Sequence, residues 1–228
     1  MARTIAGSHV VVVGTTGVLG ARIAAHFAAA GARVSAIVRD HTRLDGASVA
    51  QYALADVTDH AALSTAFASV APFDGVVNAT GVVAFGNVAE LDDVTLARLF
   101  AVNAIAPIVM LRECAPHLAD GGFFVNLSGV VATQPVAGMA AYSASKAAAW
   151  AAMSAAAREL RRRRIDVIDA RPPHTETGLA TRPIAGVAPK MPQGLTPDTV
   201  AARIVAAVVA GERDLPAESF SDVSFEIG

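Results

Sequence analysis

The chain has 228 residues, 54% hydrophobic and 17% charged, with a mean hydropathy of +0.47 and a formal net charge of −2. Such a balance supplies no basic field for nucleic acid. The single cysteine, Cys114, rules out an internal disulfide and a multi-cysteine metal site, and six scattered histidines without HxxxH or HxH spacing predict no metal. The longest uncharged run, residues 121–145, is interrupted by Asn126, Ser128, Gln134, Pro135 and Gly138, which a simple spanning helix in lipid could not satisfy. The apolar stretch near the N-terminus is too short for a secretory signal. The expectation is a soluble, cytoplasmic protein with no membrane partner, of a length suited to one domain over residues 1–228.

In chain order, HVVVVG at residues 9–14 predicts a buried strand, its four valines suiting a parallel sheet covered on both faces. Residues 18–30 predict a helix stopped by Gly31, and residues 32–38 the second strand. A short strand near residues 51–57 and a helix through Phe67 follow, then a strand at 75–81 and a long helix at 94–115. Residues 121–129 predict a strand, 142–163 a helix, 165–173 a strand and 197–210 a last helix before a short tail ending SFEIG. The basic run of Arg158 and Arg161 to Arg164 closes the helix at 142–163, where cations complement the helix dipole. Strand and helix alternate throughout, with no repeat or linker. That pattern predicts an α/β fold, a single-domain doubly wound parallel sheet of Rossmann-like form with helices on both faces.

VVVGTTGVLG joins the first strand to the first helix, with Gly14, Gly17 and Gly20 at every third position. Glycines there permit a tight turn, close backbone approach to a pyrophosphate and close helix–strand packing, while the helix N-terminus presents free N–H groups. The form is GxxGxxG and not strict GxGxxG, so its position between strand and helix carries the inference. IVRD ends the second strand. An acid at that place suits the ribose hydroxyls of NAD, and an arginine the 2′-phosphate of NADP. Arg39 comes first, with Asp40 next and Arg43 within reach, so the order favours NADP, with NAD as the alternative.

AYSASKAAAW places Tyr142 and Lys146 four positions apart, on one face of a helix otherwise built from Ala and Ser. A packed Tyr beside an exposed Lys is the plain explanation, and an acid/base pair the functional one. A free phenol, with a pKa of about 10, is a weak acid/base at neutral pH. A neighbouring ammonium favours the phenolate and is expected to lower that pKa. Ser128 in FVNLSG can hold a substrate oxygen and stabilise charge developing on it.

Taken in order, these motifs resemble the short-chain dehydrogenase/reductase superfamily from Val10 to about Thr177. YSASK is similar to that family's YxxxK, Ser128 lies upstream at about the family's separation, and Asn103 in FAVNAIAP matches the family's helix Asn. The resemblance implies a catalytic set of Asn103, Ser128, Tyr142 and Lys146. It gives Asn103 a water linking Lys146 to solvent, and Lys146 a second role on the nicotinamide ribose. It further implies cofactor contacts from Gly14, Thr15, Thr16, Gly17, Val18 and Leu19 in the turn, with Arg39 beyond the second strand. Asp56 and Val57 in LADVTD would meet adenine, and Asn78, Ala79 and Gly81 stand in VNATG where the family has NNAG. Tyr142, Lys146, Pro172 and Thr177 complete the cofactor set. RPPHTETG departs from the family's PGxxxT, since Pro173 replaces Gly, fixes φ and removes an N–H. His174 and Glu176 in that loop are either substrate-pocket residues or, the plainer reading, surface polar residues.

The resemblance implies transfer of hydride between NADP (or NAD) and a carbonyl or secondary alcohol. The alternative is a dinucleotide-binding protein of the same fold that reports redox state without turnover; such proteins usually lack the Tyr or the Lys, and both are present here. The segment at about 178–197, apolar with Arg182 and Lys190, falls where the family places its substrate lid, which suits a small hydrophobic substrate. The helix from Tyr142 is apolar or small on nearly every side, which predicts burial all round and hence a homo-oligomer, dimer or tetramer.

Overall fold

The computed structural model describes residues 3–44 and 48–221, and the tail expected at 224–228 lies outside them. Among the described residues seven strands form one sheet: β1 (His9–Val13), β2 (Arg33–Val38), β3 (Gln51–Leu54), β4 (Phe73–Asn78), β5 (Leu118–Leu127), β6 (Asp166–Ala170) and β7 (Asp214–Leu215). Their spatial order is β3-β2-β1-β4-β5-β6-β7, and every neighbouring pair is parallel. The main helices are α1 (Val18–Ala29), α2 (His60–Val70), α3 (Asp93–Phe100), α4 (Ala106–Cys114), α5 (Ala140–Glu159) and α6 (Pro197–Ala210). The expected doubly wound α/β architecture is the one observed.

The valine run of β1 is apolar at every position because both faces are covered. Val11 and Val13 pack with Leu63 and Phe67 of α2 and Met110 of α4, whereas Val10 and Val12 pack with Ile23 and Phe27 of α1 and Ile204 and Val208 of α6. Each such side chain contributes about 1.5–3 kcal/mol by leaving water. Side-chain oxygens of Asp59, Asp92 and Thr196 accept from the N–H groups of Ala62, Thr95 and Thr199 and so start α2, α3 and α6. Gly211, at φ +71°, ends α6.

Several boundaries differ from expectation for identifiable reasons. The helix expected at 94–115 is continuous from Asp93 to Cys114 but contains a π-helical turn at Ala101–Ile105. Pro107 has no N–H to give the Asn103 carbonyl, the ladder slips by one residue, and the Ala106 N–H bonds the Ala101 carbonyl instead. By length and composition this helix could cross a membrane, yet over half of it is buried inside the fold. Within this chain α5 leaves Ala144, Ala151, Ser154 and Ala155 exposed, the side for which the sequence predicts cover from a second copy. Strand β7 was not expected. It has only two residues, too few for a pattern, and long-range bonds hold it: Arg171 N–H donates to the Leu215 carbonyl at 2.8 Å and the Arg171 guanidinium grips Asp214.

Candidate active site

Strand order reverses between β2 and β4 on either side of β1, and a crevice opens there, at the carboxyl ends of the strands. Its volume, about 650 Å³, lies within the range of ligand cavities, roughly 300–1,000 Å³. Gly14, Thr16, Gly17, Val18, Leu19, Arg39, Asp56, Val57, Ala79, Gly81, Ser128, Tyr142, Lys146, Pro172 and Thr177 all line it. Positions singled out from segments far apart in the chain thus meet in one cleft.

At the glycine end, Gly14 has φ +92°, and a Cβ on Gly20 would stand 2.3 Å from the Gly14 carbonyl oxygen. Only glycines let this turn close against α1. Gly17 is the N-cap of α1 and supplies no side-chain acceptor, so the first-turn N–H groups and the positive helix end face the cleft, where an anion fits. Thr15 does not line the cleft. It is buried, and its hydroxyl has no hydrogen-bond partner among the described residues.

Beyond β2 the two charged neighbours separate. The Asp40 carboxylate accepts from the Thr42 N–H (2.9 Å) and hydroxyl (2.7 Å), capping a short turn, whereas Arg39 and Arg43 line the cleft. Arg39 lies 3.8 Å from the Asp56 carboxylate. Partial burial opposes ionisation of Asp56, but the Thr58 hydroxyl and N–H, with Arg39 and Arg98 nearby, outweigh it and hold this carboxyl below the usual range.

At the other end, α5 carries Tyr142 and Lys146 over the end of β5. The Lys146 ammonium is buried and donates to the Leu127 carbonyl at 2.8 Å. Burial lowers its pKa to about 8, against the opposing charge of Asp169. Tyr142 is half-buried, and burial raises its phenol to about 12. This corrects the expectation that Lys146 draws the phenol below its ordinary pKa: desolvation of the phenol dominates.

Asn103 sits in the π-helical turn and does not line the cleft. Its side-chain oxygen accepts from the Val82 N–H (3.0 Å), and its amide nitrogen donates to the Val82 carbonyl (2.9 Å) and the Ser145 hydroxyl (3.1 Å). Ser145 donates in turn to the Tyr142 carbonyl at 2.7 Å, so Asn103 ties the segment after β4 to the first turn of α5. Asn78 also lies beneath the cleft; it accepts from the Thr80 N–H and hydroxyl and donates to Asn126 at 3.0 Å.

The Ser128 hydroxyl is hydrogen-bonded to the Asp169 carboxylate. Asn126 donates to the other Asp169 oxygen at 2.9 Å, and Arg171 stands 3.5 Å away. Sequence reasoning passed over Asp169 because IDVIDA has no alternation that assigns it a face. Its register partner Asn126 was the available signal, since two polar residues opposite one another in adjoining buried strands must satisfy each other.

A family model for short chain dehydrogenases matches residues 8–185. The chain belongs to the short-chain dehydrogenase/reductase family. It is 30% identical over 185 residues, 79% of this chain and 73% of the relative, to an uncharacterized oxidoreductase of Methylorubrum extorquens. It is 34% identical to the galactitol 2-dehydrogenase (L-tagatose-forming) of Cereibacter sphaeroides over 156 residues, 62% of this chain and 61% of that one. A short chain dehydrogenase from Burkholderia cenocepacia, solved in complex with NADP, superposes with a TM-score of 0.84 at 25% identity, covering 94% of this chain and 90% of that one.

In this short-chain dehydrogenase/reductase the loop after β6 takes its hydrogen bonds elsewhere than at Pro173, which has no N–H to give. The Leu195 N–H donates to the His174 carbonyl (2.8 Å) and the Glu176 N–H to the Leu195 carbonyl (2.9 Å). His174 lines the cleft, while the exposed Glu176 turns away to accept from the Gly194 N–H at 2.8 Å. The segment that follows docks on the one after β4, the Phe85 N–H meeting the Ala185 carbonyl and the Ile184 N–H the Val83 carbonyl.

Proposed function

We propose that this chain is an NADP-preferring oxidoreductase that moves hydride between the nicotinamide and the carbonyl or secondary alcohol of a small, apolar substrate. One observation carries the reading: the glycine turn, Ser128, Tyr142 and Lys146 line a single cleft at the reversal of strand order. The uncapped α1 N-terminus and the glycine turn fit a pyrophosphate, with Gly14, Thr16, Gly17, Val18 and Leu19 as its cradle. Asp56, Val57, Ala79 and Gly81 would line the adenosine path, and Lys146, Pro172 and Thr177 the nicotinamide end. Arg39 and Arg43 favour a 2′-phosphate, because both line the cleft, whereas Asp40, the acid that would take free ribose hydroxyls, does not.

When bound, the cofactor supplies hydride, and its oxidised ring adds a positive charge beside the phenol. The Tyr142 hydroxyl gives its proton to the carbonyl oxygen, Ser128 orients that oxygen, and Lys146 helps the phenol regain a proton. Asn103 fixes the turn of α5 from which Tyr142 projects. Phe85, Val136, Met139, Leu179 and Met191 line the remaining cleft wall, which supports an apolar substrate, with residues of about 178–197 as its lid. Exposed Val94, Ile105 and Ile108 on the α3–α4 helix and the small exposed face of α5 support a homo-oligomer through these helices. We assign the protein to the cytoplasm, with neither nucleic acid nor membrane as partner.

The test is a fluorescence titration with NADPH and NADH. NADPH is expected to bind more tightly, and Arg39→Ala to weaken NADPH about tenfold while sparing NADH. Equal losses for both would remove Arg39 from the 2′-phosphate site. Tight NADPH binding with no carbonyl-dependent oxidation across a panel of ketones and aldehydes would favour the regulatory alternative.

A further inference from the structure

The catalytic cleft rests on a polar row that crosses three strands. Register sets Asn78 of β4 opposite Asn126 of β5, and Asn126 opposite Asp169 of β6. Their bonds run one way: Thr80 donates to Asn78, Asn78 to Asn126, and Asn126 to Asp169. Asp169 also holds the Ser128 hydroxyl. All of these but Thr80 are almost wholly buried, Ser128 at 0% and Asp169 at 4% exposure, so none can exchange its partner for bulk water.

A hydroxyl has a single proton. While that of Ser128 is given to an ionised Asp169, Ser128 offers the cleft only lone pairs. Neither substrate form gains from them: a carbonyl only accepts, and an alcohol must give its one proton to Tyr142. A protonated Asp169 would instead donate to Ser128 and release the Ser128 proton toward the cleft. Resting on the oxidoreductase reading above, we propose that Asp169 is a positioning residue acting through Ser128, its protonation state deciding whether Ser128 has a proton to give to the substrate oxygen.

The charged groups around Asp169 permit both states. From its own strand comes Arg171, but that guanidinium is held by the Asp214 carboxylate of β7 at 2.8 and 2.9 Å and lies beneath the Trp150 ring of α5. From α5 comes the Lys146 charge, itself bonded to the Leu127 carbonyl. Strand β5 and the residue after it supply only the neutral Asn126 and Ser128. Burial pushes the Asp169 carboxyl above the usual range, against the hydrogen bonds of Ser128 and Asn126 and the charges of Arg171 and Lys146. No proton of Asp169 enters the product; Tyr142 supplies that one.

Infrared difference spectroscopy of the intact protein from about pH 9 to about pH 5 reads the switch without a substrate. A protonated-carboxyl stretch is expected to grow in, to vanish in Asp169→Asn, and to move in Ser128→Ala. Absence of the band, or a band indifferent to Ser128→Ala, overturns the proposal. Kinetics supply the second arm, with NADPH and the best apolar ketone of the panel. The rise of the ketone KM with pH is expected to be about tenfold larger in the wild type than in Asp169→Asn or Ser128→Ala, which keep whatever the Lys146 titration contributes. Adding Asp169→Asn to Ser128→Ala should change the KM less than about twofold. A rise as large in Ser128→Ala as in the wild type refutes the proposal even if Asp169→Asn fails to fold. Wild-type protein that binds no NADPH or turns over no carbonyl would instead refute the oxidoreductase reading, leaving the infrared result to judge the Ser128–Asp169 link.

Discussion

Two buried polar clusters lie at opposite ends of the same sheet. At the amino ends of the strands, the His9 ring meets the Ser35 hydroxyl at 2.6 Å and the Pro72 carbonyl at 2.7 Å, with Arg33 beside it, while Asp74 accepts from the His9 N–H. At the carboxyl ends stand Asn78, Asn126, Asp169 and Ser128 with Lys146 above. Both clusters are buried and hydrogen-bonded, and in both a titratable group is driven toward its neutral form by burial, His9 downward and Asp169 upward. They differ in what adjoins them. No cleft-lining residue belongs to the first cluster, whereas Ser128 and Lys146 of the second line the crevice beside a half-buried phenol. A buried polar network is therefore no sign of a site by itself; one that borders an open crevice with a reactive group over it is.

The sharpest way to break this contrast is to substitute one residue in each cluster. Tyr142→Phe is expected to lower carbonyl turnover by about 10²–10⁴ while NADPH affinity changes less than about twofold, as read by steady-state kinetics and titration. His9→Phe should do the reverse, costing about 1–3 kcal/mol in chemical denaturation by stranding the Ser35 hydroxyl and the Pro72 carbonyl, with turnover per folded molecule unchanged. If His9→Phe slowed the chemistry, the division between the two ends would fail.

Lys146→Met sharpens the comparison with an effect on stability of the opposite sign. The native ammonium titrates near 8 and the unfolded one near 10.5. The buried charge thus costs up to about 3 kcal/mol at neutral pH, and the variant should be more stable there despite losing turnover. As pH climbs from about 8 to about 10.5 the unfolded wild type still binds a proton that the native form has shed, so wild-type stability rises and the gap closes. Denaturation at pH 7 and pH 10 checks both the sign and the trend.

Most of the fold was legible because its signals are local. Valine runs, Ala-rich helices and a glycine turn between the first two elements assign a doubly wound sheet from residues near in sequence. The cleft residues Gly14, Thr16, Gly17, Val18 and Leu19 and the Tyr142–Lys146 pair were legible for the same reason. What was not legible depends on contacts far apart in the chain. Strand β7 exists because Arg171 reaches Asp214, and Asp169 matters because Ser128 and Asn126, 41 and 43 residues away, close on it. The π-helical turn at Asn103 was in principle readable from Pro107, four positions on. The phenol's upward shift was not, because it depends on how closely the fold surrounds Tyr142.

The most direct test of the central claim is to follow the hydride itself, using NADPH deuterated at the reactive C4 position with the panel of apolar ketones and aldehydes. Deuterium is expected at the carbinol carbon of the product, in wild type and not in Tyr142→Phe. Tight NADPH binding with the label retained on the nicotinamide against every carbonyl tried would contradict it.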